Sequence, residues 1–128
     1  GAEALGRMRA VHMIEDAGYA PVQAANAGEA IRLLESRRDI RAVFTEINMS
    51  GSMDGLRLAH AIRGRWPPIH LIVTSGLDIA DKLPANGRFI RKPYSAEQVT
   101  AALRELFGHS TFPGRLLRAD GQDCDKVA

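Results

Sequence analysis

The run Ala42-Val43-Phe44-Thr45-Glu46-Ile47 decides how the chain is read. It is too short for a helix, rich in strand formers and apolar on both faces, the pattern of a strand buried inside a parallel sheet. Glu46 places a carboxylate at its C-terminal end. After the loop Asn48 to Gly51, a helix is predicted over about Asp54 to Arg65, with Leu56, Leu58, Ala59 and Ile62 inward and Trp66-Pro67-Pro68 as its stop. Ile69 to Thr74 follows as the most apolar strand.

Upstream, Leu5, Met8, Val11, His12 and Ile14 recur at three- and four-residue spacing within Glu3 to Ala17, which predicts an amphipathic helix ended by Gly18. Pro21 to Ala25 reads as a short strand, and Asn26 as the cap of a helix from about Ala27 to Arg37 with Ile31, Leu33 and Leu34 inward. Downstream, Leu77 to Leu83 allows at most two helical turns before Pro84 and Gly87. Arg88 to Arg91 is then a strand closed by Lys92-Pro93. Ser95, with Gln98 at the capping-box position, opens the last helix, which carries Val99, Leu103 and Leu106 to Gly108.

Strands alternating with helices through short loops give an α/β doubly wound parallel sheet, whose functional site lies at the carboxyl ends of the strands. The expected division is one domain over 1–108 and a tail over 109–128. The tail is expected to be free or loosely packed, with Arg115 to Ala119 as an alternative strand.

Bulk properties narrow the function. The 128 residues, 45% hydrophobic and 25% charged, suit one globular domain. Net charge is +2, yet the basic residues are interspersed with acidic ones and no aromatic residues interleave with Arg37, Arg38 and Arg41, so nucleic-acid binding is not expected. No apolar run approaches the roughly 20 residues of a membrane span, and with Cys124 as the lone thiol the expected location is a reducing cytoplasm. His12, His60, His70 and His109 show no metal-ligand pairing, and Gly51-Ser52-Met53-Asp54-Gly55 lacks the lysine of a nucleotide-binding loop.

Three strand ends supply polar groups: Glu46, Thr74 with Ser75, and Lys92. A carboxylate, a hydroxyl and an ammonium meeting at one sheet edge suit a phosphoryl-accepting acid whose phosphoryl oxygens the other two bind.

On Phe44 to Met49, Met53-Asp54-Gly55, Ile72 to Gly76 and Arg88 to Pro93, the sequence over roughly Glu3 to Gly108 resembles the receiver domain of two-component response regulators, a flavodoxin-like fold. The resemblance implies Glu46 at the phosphoacceptor position, the Asn48 backbone at a magnesium position, Thr74 at the switch hydroxyl and Phe89 at the switch aromatic. It also implies Lys92 at the phosphoryl-binding lysine and a cis bond before Pro93. A histidine kinase or another signalling protein is the implied partner, and contact rather than enzymatic turnover the mode of action.

Two departures shape the expectation. The family opens with a strand, lying between its second and third, that ends in two acids; here Gly1 and Ala2 stand where those acids belong, so no magnesium cofactor is expected. Glu46 is one methylene longer than aspartate and is expected to pair permanently with Lys92. The first strand is thus missing or replaced. Its place is to be filled by direct pairing of the remaining strands, by Arg115 to Ala119, or by a second copy, and Arg118 counts against the tail. The alternatives are a phosphorylatable receiver truncated at its N-terminus and a flavodoxin-like enzyme or flavin binder, the latter disfavoured by the lack of a phosphate-cradling loop.

Overall fold

The computed structural model describes residues 2–47, 54–108 and 115–120. Elements alternate along the chain: α1 (Ala2–Asp16), β1 (Pro21–Ala24), α2 (Ala27–Ser36), β2 (Ile40–Ile47), α3 (Asp54–Arg65), β3 (His70–Ser75), β4 (Gly87–Arg91), α4 (Ala96–Phe107) and β5 (Arg115–Asp120). All five strands are parallel, in the order β1-β5-β2-β3-β4. Counted from β5, that order becomes 2-1-3-4-5, the flavodoxin-like arrangement.

Helix ends follow the chemistry of their caps. Asn26 accepts the Glu29 amide 2.7 Å away. Ser95 and Gln98 complete a reciprocal capping box at the start of α4. In α1, Ala10, Val11 and Ile14 are buried, whereas His12 is exposed, so the histidine does not belong to the apolar stripe.

The sheet is covered on both faces. Val43, Ile47, Leu71, Val73, Leu117 and Ala119 point toward α2 and α3, while Ala42, Phe44, Ile72, Ile90 and Leu116 point toward α1 and α4. This alternation is the period-two consequence of strand geometry, and with both faces buried the strands read as continuous apolar runs.

Between β3 and β4 the weak helix expected over Leu77 to Leu83 is a 3-10 turn, Ala80–Lys82. Side chains of α3 bind the backbone of that connection and of the turn that leads into β3. His60 Nε2 lies 2.8 Å from the Lys82 carbonyl, and the Arg63 guanidinium donates to the carbonyls of Ala85, Pro67 and Ile69.

The loosely packed tail is corrected over Arg115–Asp120. These residues form an interior strand between β1 and β2, pairing Val22 with Leu117 on one side and Val43 with Leu117 on the other. Leu116, Leu117 and Ala119 lose all exposure there, and full burial of a leucine is worth roughly 1.5–3 kcal/mol. At the opposite edge, the Arg115 amide donates to the Asp39 carbonyl and the Leu116 amide to the Ala20 carbonyl. The sheet of residues 1–108 is therefore completed by a strand from the segment assigned to the tail. This interior strand ends not at Gly1 and Ala2 but at Asp120, whose backbone pairs with Glu46.

Candidate functional site

Glu46 is the next-to-last residue of β2, on the same face as Phe44, and is the register partner of Thr74 on β3 and of Asp120 on β5. The approach of α3 to this strand end requires a glycine: a Cβ on Gly55 would meet Ile47 Cγ1 at 2.9 Å and the Glu46 carbonyl oxygen at 3.0 Å. Lys92 follows β4 directly, its amide donating to the Ser75 carbonyl at 2.8 Å, and the Lys92–Pro93 bond is cis.

Both Glu46 carboxylate oxygens are occupied. Oε2 accepts a charge-assisted hydrogen bond from Lys92 Nζ, and Oε1 accepts one from Arg118 Nη2 at 2.9 Å. Arg118 is 1% exposed. Its guanidinium also donates through Nη1 to the Ala119 carbonyl and sits 5.5 Å from the centre of the Phe44 ring. Tyr94 packs edge-on to the same ring, centroids 6.1 Å apart. Burial and then the Glu46 carboxylate push the Tyr94 phenol above its ordinary range, against the opposing Arg118 and Arg9 charges.

The structure thus brings Glu46 and Lys92 into contact and sets Thr74 beside Glu46. The Thr74 hydroxyl is fully buried, without a hydrogen-bond partner among the described residues, as is Arg118 Nε. Phe89 is not at this cluster: it packs toward α3 with Val73, on the other side of the sheet. Asn48 lies outside the described residues.

Arg118 is the site residue that the sequence reading passed over as such. Its signal was present, because Leu116-Leu117-Arg118-Ala119-Asp120 repeats the plan of β2, an apolar run closing on a carboxylate. The charge that argued against an interior strand is neutralised by Glu46.

Magnesium asks for several oxygen donors in octahedral array. Each Glu46 oxygen already accepts from a cation, the guanidinium beside it cannot be deprotonated, and no group of three aspartate, glutamate, histidine or cysteine side chains among the described residues converges on a point. The donors described here do not fit that ion.

Order 2-1-3-4-5 with acid, hydroxyl and lysine at adjacent strand ends defines a flavodoxin-like α/β module with a polar site at its carboxyl edge. The chain belongs to the response regulator receiver domain family, whose model matches residues 3–104. It is 30% identical over 98 residues to an NtrX-like response regulator of Rickettsia bellii, and 30% identical over 106 residues to the sensor kinase CckA of Brucella abortus. Those matches cover 72% and 78% of this chain but only 20% and 11% of the relatives, so the chain spans a small part of either. A Thermotoga maritima response regulator crystal structure superposes with a TM-score of 0.66 at 22% identity, covering 80% of this chain and 87% of that one. The protein is thus a receiver domain of two-component signalling. Among the described residues, no helix is long and apolar enough to cross a membrane.

Proposed function

We propose that this receiver works by protein contact, docking with a histidine kinase or another signalling protein without accepting a phosphoryl group at Glu46 and without turning over a substrate. The observation that carries the reading is the occupation of both Glu46 oxygens by Lys92 and Arg118. A carboxylate acts as a nucleophile through a free oxygen held in line with phosphorus, and displacement by about 1 Å costs about a hundredfold. Here each oxygen already accepts a charge-assisted bond, which fixes the direction of the carboxylate and draws on its electron density. The same bonds give the strand-end site a fixed arrangement, suited to recognition by a partner in all conditions.

Incubation with acetyl phosphate or phosphoramidate and magnesium, followed by intact-mass measurement, tests this. The expected spectrum is unchanged. Gain of one phosphoryl group, whether acid-labile or acid-stable, overturns the reading.

A further inference from the structure

In a receiver of the ordinary kind, a divalent cation balances the acidic strand ends, and Lys92 would be accompanied by that ion. In this chain a second cation already stands at the carboxylate. Arg118 comes from β5, is 1% exposed, and places Nη2 2.9 Å from Glu46 Oε1. The guanidinium is fixed from three sides, by Glu46, by the Ala119 carbonyl and by the Phe44 ring. It cannot lose its charge, and like charges held in a poorly solvated site repel strongly.

We propose that Arg118 is the resident cation of the strand-end site: β5 supplies the positive charge that a metal ion would otherwise bring, and the site stays closed to divalent cations while Arg118 is in place. The same side chain therefore does two jobs. It completes the interior strand, and it balances Glu46. The charge balance of the site is then set by the docking of β5 and not by the concentration of magnesium.

The inference rests on the reading of Glu46 as a locked carboxylate, and the two fail differently. Phosphoryl uptake defeats the proposed function, whereas selective metal binding without phosphoryl uptake defeats this one. The test uses the full chain, with manganese(II) as a paramagnetic probe and amide resonances as the readout. Wild type is expected to show no broadening of Glu46, Ile47, Thr74 or Ala119 beyond that of remote surface amides, and millimolar magnesium is expected to leave its melting midpoint where sodium at matched ionic strength leaves it.

Arg118→Leu is expected to gain selective broadening at those amides, because Glu46 Oε1 then loses the cation that occupies it. If that variant does not fold, Arg118→Gln, which keeps a hydrogen-bond donor but removes the charge, takes its place with the same expectation. Arg118→Lys keeps the charge and is expected to stay silent. Selective broadening in wild type overturns the proposal, and so does a folded charge-free variant that remains silent.

Discussion

Arg118 Nη2 donates to Glu46 Oε1 across 2.9 Å, joining residues 72 positions apart in sequence and closing β5 onto β2. Arg118 does not tolerate loss of Glu46, because it is almost wholly buried and its charge has no other carboxylate among the described contacts. Breaking a buried ion pair by removing one member costs far more than the pair contributes over an apolar replacement.

Glu46→Gln is therefore expected to destabilise the fold by about 3 kcal/mol, since it strands the Arg118 charge. Urea unfolding measures this. The double variant Glu46→Gln with Arg118→Met should recover part of the loss, and a strictly additive double-mutant cycle would show that the two side chains are not coupled.

The interior position of β5, paired on both sides, predicts its exchange behaviour. Amides of Leu116 to Ala119 should be among the slowest in native-state hydrogen exchange, together with those of β2 and β3, because all belong to one ladder. Leu117→Ala should cost about 3 kcal/mol, as for other fully buried leucines. Fast exchange at these amides would return the segment to a loose tail.

His70 gives the fold a pH dependence. Its imidazole packs on Phe107 with ring centroids 4.7 Å apart, and burial, with the nearby Arg63 and Arg41 charges, holds its pKa below the ordinary 6.5. The folded protein therefore favours the neutral ring more than the unfolded chain does. The contribution is fully present above pH 6.5 and is lost as pH falls through the lower folded value. Stability in urea should decline over that interval in wild type and decline less in His70→Gln. Equal slopes in the two proteins would remove His70 as the cause.

Gly55→Ala tests the tight approach of α3 to the end of β2. The new methyl would meet the Glu46 carbonyl oxygen and Ile47 at or below 3.0 Å, so backbone must shift. The expected loss is about 2 kcal/mol, in the range of overpacked cores. Chemical shift changes should centre on Glu46 and Ile47, and a variant as stable as wild type would contradict the geometry.

Much of this architecture was legible because its signals are local. The apolar run ending at Glu46, the Asn26 cap and the Ser95–Gln98 box each specify their element from within a few residues. The Glu46–Lys92 contact was legible too, since parallel strands deliver their ends to one edge. What escaped was long-range. Nothing near Arg118 in sequence reveals that its charge is neutralised by Glu46, so a buried arginine looked like an argument against burial. The connection at Leu77 to Leu83 was ambiguous for a related reason: its backbone is held by His60 and Arg63 of α3, not by its own helical propensity.

The place of β5 in the sheet also sets a timetable for biosynthesis. Strands β1 and β2, made early, share no ladder with each other; each waits for the same later segment. A nascent chain lacking residues 115–120 carries an open slot lined by unpaired backbone, and such edges invite association with other chains. Completion of the domain therefore follows release of this segment from the ribosome, and until then the facing edges of β1 and β2 have no partner strand.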